Sequence, residues 1–263
     1  SVSGGSIIAG IGFVCGVRCV VFVDDSGINA GALTAKSIDK ALGCLDISLK
    51  QKLPFIHLVE SSGINLMNYT VEFWSNTGGM FYGLAKLSAA GIPTIAVLHG
   101  LSTAGGAYQP GMSDYVIGVK KNGMAALAGP ALLKAATGEI AKNEELGGSE
   151  MHSKVTGLVE YLADDDAHAI EIVRDLINKI DWNSKILKRE SIKFQEPIYD
   201  CEEIIGVVPI DYKVPYNVRE LIARIVDSSD FMDFKPQYGV STVCVHTKIN
   251  GFACGIIGNN GPI

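Results

Sequence analysis

A parallel α/β architecture is what this chain of 263 residues predicts. Three observations carry the prediction. Short apolar runs alternate with longer segments of helical period. Two of those runs end in turns built from small residues, as strands do where they leave a parallel sheet. An apolar hairpin pattern stands near each end of the chain.

The first hairpin spans Ser6 to Asp25 around Gly16; its three glycines and Arg18 mark it as a strand pair and not a membrane span. A helix is expected at Thr34 to Lys50, a strand at Phe55 to Val59, a helix at Tyr69 to Ala89 and a strand at Thr94 to Leu98. Short strands follow at Tyr115 to Val119 and Met124 to Leu127, and Pro130 suits the first turn of a helix over Ala131 to Ala136. Asp164-Asp165-Asp166 then caps a helix whose Ile170, Val173, Ile177 and Ile180 form an apolar stripe. Asp181 to Gln195 reads as a linker, Asn217 to Val226 as a short helix, and Phe231 to Lys235 as the lead into a second hairpin.

That second hairpin, Ser241 to Asn260, turns at Asn250-Gly251, a strong two-residue turn signal. Aligning the two turns places Val14 on Ile249, Cys19 on Cys254 and Val21-Phe22 on Ile256-Ile257. Shared apolar alternation accounts for such a match, and so does duplication. Under duplication the chain holds one complete unit and the opening strands of a second.

Composition narrows the function. A core of useful size is available at 48% hydrophobic content, and a formal charge of -6 without a Lys/Arg cluster larger than the Lys120-Lys121 pair argues against nucleic acid as ligand. The six cysteines make no CxxC pair and no zinc-ligand spacing, so buried thiols in a reducing compartment are expected. Ser1 to Gly5 shows no targeting pattern, and no metal site is expected.

The chemistry is expected at the two turns. Ser102 to Gly111 forms a small-residue loop directly after the Thr94 to Leu98 strand, with Gly105-Gly106 as bare backbone and a helix beginning near Tyr108. Glu60-Ser61-Ser62-Gly63-Ile64-Asn65 follows the neighbouring strand. Two such turns at the carboxyl ends of adjacent parallel strands would aim N–H donors at one oxyanion. The structural alternative for each is an ordinary tight turn. The histidines at 57, 99, 152, 168 and 246 have no partner motif, and His57 and His99 read as hydrogen-bonded core residues that finish strands. Glu144 to His152, an acidic turn with a glycine pair, reads as a solvated loop that reverses the chain. Tyr108, Met112 and Leu127 are either pocket walls or core. Donors without a clear acid or base suit a reaction in which substrate or cofactor supplies the proton chemistry.

Several long motifs occur in order: Leu58 to Leu66, Leu87 to Pro93, Thr103 to Asp114, Ala128 to Glu139, Glu144 to His152, Tyr216 to Glu220, and Phe234-Lys235-Pro236 with the closing hairpin. Together they resemble the carboxyltransferase (β) subunits of biotin-dependent acyl-CoA carboxylases. That resemblance implies a crotonase-like β-β-α superhelix with a parallel sheet, plus the start of a second similar domain, in a chain that continues beyond both ends. It divides the sequence into an acyl-CoA-binding domain (1–183), a linker and connecting helix (184–238) and the opening hairpin of the second domain (239–263).

By the same resemblance, Gly105 and Gly106, with Ser62 or Gly63 opposite, would stabilise the enolate of an acyl thioester, and Ala104, Ala107, Tyr108 and Asn65 would contact substrate. Carboxybiotin, delivered by a biotin carboxylase/biotin carrier (α) partner, would release CO2 beside the enolate and take up the substrate proton. Its own oxyanion site belongs to the second domain. Asn65, where propionyl- and acetyl-type members carry Arg, resembles the methylcrotonyl- and geranyl-type enzymes, as does Asn259-Asn260-Gly261-Pro262, which implies a branched, unsaturated acyl-CoA carboxylated at the γ carbon. Homo-oligomers are implied, in the cytoplasm of a bacterium or the mitochondrial matrix of a eukaryote. The rivals are a decarboxylase or hydratase using the same turn, and a non-catalytic CoA-binding assembly module.

Overall fold

A computed structural model describes residues 5–180, 182, 194–211, 213–233 and 241–261. The chain divides into two compact units, residues 1–186 and 187–263. The linker expected at Asp181 to Gln195 lies almost wholly outside the described residues, as does Phe234-Lys235-Pro236.

The first unit is built on a six-stranded sheet, an antiparallel pair followed by four parallel strands. Strands β1 (Ile7–Val14) and β2 (Val17–Asp24) are the antiparallel hairpin, and β3 (Phe55–Val59), β4 (Thr94–Leu98), β6 (Tyr115–Val119) and β8 (Tyr161–Ala163) continue from β2 in parallel. Helix α1 (Ala35–Gln51) crosses between β2 and β3, and α2 (Val71–Ala89) between β3 and β4. Both start where the sequence places a threonine cap: the hydroxyl of Thr34 accepts the Ser37 N–H, and that of Thr70 accepts the Phe73 N–H. The helices close over β2, β3 and β4, where Phe22, Ile38, Leu84, Leu87 and Ile95 are fully buried. Each such side chain contributes about 1.5–3 kcal/mol.

A second layer lies beyond the carboxyl end of β4. Residues Leu101–Thr103 form β5, which pairs in parallel with β7 (Met124–Ala126), and α3 (Gly105–Gly111) follows at once. The expected Ser102 to Gly111 loop is therefore strand then helix, and the helix begins at Gly105, not near Tyr108. The cause is tertiary: the Thr103 N–H donates to the Ser61 carbonyl at 2.9 Å, and β7 supplies the ladder.

Helices α4 (Pro130–Thr137), α5 (Asn143–Gly147), α6 (Ser149–Met151) and α7 (Asp166–Ile180) complete this unit. On α7 the buried stripe is Ala169, Val173, Leu176 and Ile177, whereas Ile170 is exposed. The Glu144 to His152 stretch is not a solvated loop either, since Gly147, Gly148 and Ser149 are buried against β7. Strand β8 escapes the sequence pattern because three residues between charged neighbours are too few to show a period.

The second unit holds β9 (Phe231–Asp233), β10 (Thr242–Ile249) and β11 (Phe252–Asn259) in one antiparallel sheet, with a short helix at Val218–Ala223. Its hairpin repeats the first in strand length and turn. Cys15 and Gly16, like Asn250 and Gly251, all have positive φ, as a two-residue hairpin turn of right-handed twist demands.

The cysteines are all free, but only Cys19 is buried; Cys15 and Cys201 are exposed. Burial pushes the Cys19 thiol up to about 11, so it carries almost no thiolate near neutrality. Brief alkylation of the native protein at pH 8 is expected to modify Cys15 and Cys201 and spare Cys19, as read by peptide mass spectrometry.

Candidate active site

The two glycine-bearing turns meet. A β-carbon added to Gly63 would lie 3.2 Å from the Gly105 nitrogen and 3.3 Å from the Ala104 β-carbon. One added to Gly106 would lie 2.3 Å from the Ser61 carbonyl oxygen, a distance at which backbone must move. The bends are thus packed main chain against main chain, which only glycine permits at position 106.

The second bend is held under strain. Ala104 has φ 49° and ψ −120°, a combination L-residues avoid, and its N–H donates to the Ala126 carbonyl at 3.1 Å. This turn directs Gly105 and Gly106 into the first positions of α3, ahead of any intrahelical bond. Among the described residues neither of their N–H groups has an acceptor.

The first bend is anchored from below. Asp24 at the end of β2 accepts the His57 Nε2–H at 3.0 Å and the Glu60 N–H at 3.2 Å through the same oxygen, Oδ2. Both side chains are almost fully buried, and the other Asp24 oxygen has no partner among the described residues. His57 therefore has a partner, Asp24, that no local motif announces. His99 departs from expectation in the other direction: its Nε2 is buried without a hydrogen bond.

Above the bends opens a cavity of about 750 Å³, of the size that binds small molecules. Ser62, Ala104, Gly105 and Tyr108 line it, together with Leu127 from the chain after β7. Its remaining wall comes from Ile64, Leu66, Trp74, Thr77, Gly78 and Phe81, most of them on α2, which sequence reasoning did not assign to the site. The i, i+3, i+4 and i+7 spacing of Trp74, Thr77, Gly78 and Phe81 was the available signal. Tyr108 packs on Phe81 with ring centres 5.3 Å apart.

Four expected site residues, Gly63, Gly106, Asn65 and Ala107, are not among those lining this cavity. Asn65 lines a separate one of about 520 Å³ with Leu33, Thr34, Lys36 and Phe73, and its side chain caps the following turn by accepting the Met67 N–H. Ala107 on α3 packs against the small cluster of Leu98, Val116, Ala125 and Val159, and Met112, just past the end of α3, packs against the main core. The amides opposite Gly105 also differ from expectation. The Ser62 N–H donates to the Ala30 carbonyl and the Gly63 N–H to the Ser61 hydroxyl, each at 3.2 Å. Next to them, the Ile64 N–H has no acceptor among the described residues, because the bridge to Leu33 uses the Gly63 carbonyl and the Asn65 N–H.

The lining offers hydroxyls and apolar groups but no carboxylate, imidazole or amine. Among the described residues, no three His, Cys, Asp or Glu side chains gather where they could hold a metal, and no helix is long and apolar enough to cross a membrane. The first unit is thus a parallel α/β scaffold whose strand ends carry two facing bends with unpaired amides, the kind of donors from which oxyanion sites are built.

Comparison with known proteins specifies it. Residues 2–262 match the model of the carboxyl transferase domain, and the chain belongs to that family. It is 44% identical over 256 residues to a probable biotin-dependent acyl-coenzyme A carboxylase beta2 subunit of Mycobacterium tuberculosis, covering 97% of this chain and 48% of that protein. It is 40% identical to the probable mitochondrial methylcrotonoyl-CoA carboxylase beta chain of Drosophila melanogaster, covering 100% of this chain and 48% of that one. The crystal structure of the geranyl-CoA carboxylase beta subunit of P. aeruginosa superposes with a TM-score of 0.84 at 48% identity, over 99% of this chain and 49% of that one. The chain spans about half the length of the curated relatives it matches.

Proposed function

We propose that this chain supplies the acyl-CoA half of a biotin-dependent acyl-CoA carboxylase, where it polarises the thioester carbonyl for carboxyl transfer. The observation that carries the reading is the contact of the two bends with their unpaired amides: Gly105 and Gly106 on one side and Ile64, in place of Ser62 or Gly63, on the other. An enolate oxygen bound there receives fixed N–H donors that need not reorganise as charge develops, and one such donor is worth about 2.7–4 kcal/mol in the transition state. The apolar walls, Leu66, Trp74, Phe81 and Leu127, hold the acyl chain and exclude water.

Carboxybiotin, brought by a partner carrier subunit, supplies the carboxyl group and accepts the proton when bound. The donor set fits that division of labour, since the cavity lining holds no side-chain base of its own. Its binding residues belong to the second domain of the full-length protein. The relatives named for methylcrotonyl- and geranyl-CoA, and a cavity wall that is largely apolar, support a branched, unsaturated acyl-CoA as substrate.

The test is carboxylation of 3-methylcrotonyl- and geranyl-CoA by the full-length chain with its biotin-carrying partner. Transfer is expected there and none from the 263-residue piece supplied with free carboxybiotin. Hydration of enoyl-CoA or decarboxylation of malonyl-type esters, without carboxyl transfer, would replace this reading. Depth is tested at Gly78, where an added β-carbon meets nothing within 4 Å. Gly78→Phe is expected to raise KM for the ten-carbon ester roughly tenfold or more while sparing the five-carbon one, as a filled pocket discriminates by size.

A further inference from the structure

One histidine outside the cavity bears on the strained bend. The His152 Nε2 lies 2.7 Å from the Ala125 carbonyl oxygen, and its Nδ1 lies 2.8 Å from the Thr156 hydroxyl. A carbonyl can only accept, so Nε2 carries the proton, and the Thr156 hydroxyl holds the ring from its other side. The ring heads a single π-helical turn, His152–Thr156, a rare geometry that recurs at functional positions.

Ala125 is not an arbitrary acceptor. It lies in β7 opposite Ser102, and the adjacent carbonyl, that of Ala126, is the one that accepts the Ala104 N–H. The segment before His152 is laid along the same strand. A β-carbon on Gly147 would sit 2.3 Å from the Ala125 oxygen, the Ser149 N–H and hydroxyl both donate to the Gly123 carbonyl, and Gly148 bridges Met124. An avoided backbone conformation persists only where its surroundings over-determine it. Here β7 does so for Ala104, and residues 147–152 do so for β7.

We propose that His152 is a positioning residue: by fixing the Ala125–Ala126 carbonyls it holds Ala104 in its strained turn and so aims the Gly105 and Gly106 amides. The role rests on the oxyanion reading given above and adds to it a residue that touches no substrate. Loss of the imidazole donor leaves substrate binding by the α2 wall intact but lets the amides drift, and misplacement by about 1 Å costs up to about a hundredfold in rate.

The experiment uses the full-length chain with its biotin-carrying partner. His152→Leu is expected to lower kcat roughly 10- to 100-fold with KM for the acyl-CoA changed by less than about threefold. His152→Gln keeps an N–H donor and is expected to recover most of the loss; Thr156→Val, which frees the ring on one side, falls between. Hydrogen exchange read on the same variants needs no turnover. In His152→Leu the peptide covering 101–112 is expected to exchange faster while those covering 55–59 and 94–98 keep their protection. Unchanged kcat and exchange in His152→Leu would overturn the proposal. So would an equal loss in His152→Gln with faster exchange throughout, which marks a role in global stability alone. Faster exchange confined to 101–112, in a protein whose wild type transfers no carboxyl group, upholds the positioning role and refutes the reaction.

Discussion

Gly106→Ala in the full-length chain is expected to lower turnover about a hundredfold or more, whereas Gly105→Ala, one residue earlier, is expected to leave the fold intact. The difference follows from where each new methyl group would lie. At Gly105 its nearest neighbour is the Gly63 α-carbon at 4.0 Å, ordinary contact. At Gly106 it falls 2.3 Å from the Ser61 carbonyl oxygen and 3.0 Å from the Ser61 β-carbon. Ser61 cannot retreat easily: it is buried, its hydroxyl donates to the Gly31 carbonyl at 2.9 Å, and its carbonyl accepts the Thr103 N–H. The bends must separate, at a cost of about 1–3 kcal/mol in overpacking. Their amides then lose the alignment that the proposed function requires, and a lost oxyanion donor costs about 10²–10³ in rate. Rates of acyl-CoA carboxylation and urea midpoints for the two variants check this. A Gly106→Ala enzyme with wild-type kcat would show that the contact between the bends has no part in the reaction.

His57→Leu is expected to have the largest effect on stability, about 3–5 kcal/mol, because it removes the partner of a carboxylate that has no access to water. Asp24 would keep only the Glu60 N–H. The opposite change, Asp24→Leu, strands the His57 Nε2–H and the Glu60 N–H, each at about 1–3 kcal/mol. Exchanging both for leucine is expected to cost less than the sum of the single changes, since a buried pair replaced as a whole often breaks even. Denaturant unfolding of the four proteins gives the coupling. An additive result would mean that the two side chains do not depend on each other. Because the Glu60 amide opens the first bend, both variants that lack Asp24 are also expected to bind acyl-CoA more weakly than His57→Leu, which keeps that contact.

The parallel sheet was legible because its strands are short, apolar and bounded: Phe55–Val59, Thr94–Leu98 and Tyr115–Val119 form where the pattern puts them. The turns at Gly63 and Gly106 were legible as a pair for the same reason, since adjacent parallel strands deliver their ends to one edge. What the sequence did not disclose depends on contacts between distant segments. The Asp24–His57 pair joins residues 33 positions apart. The strand character of Leu101–Thr103 comes from Ser61 and β7, and the Ile64 amide is left unpaired because the Ala30 carbonyl takes the Ser62 N–H and the Ser61 hydroxyl the Gly63 N–H. That Asn65 lies at another cavity was not legible, because a polar side chain in a turn serves as readily to cap the next turn as to meet a ligand. The wall on α2 was overlooked because Trp74 and Phe81 at helical spacing read equally well as core.

Under the proposed function, the groups that meet the oxygen at the junction of the bends are all main-chain atoms, and those that meet the acyl tail are all side chains. Mutation alters the second set directly and the first only by bending the backbone. A lineage can therefore exchange one acyl tail for another by changing Thr77, Gly78 or Leu127 without touching the charge-stabilising apparatus. Substrate range and reaction type would then be inherited through separate parts of the chain, with the reaction the harder of the two to lose.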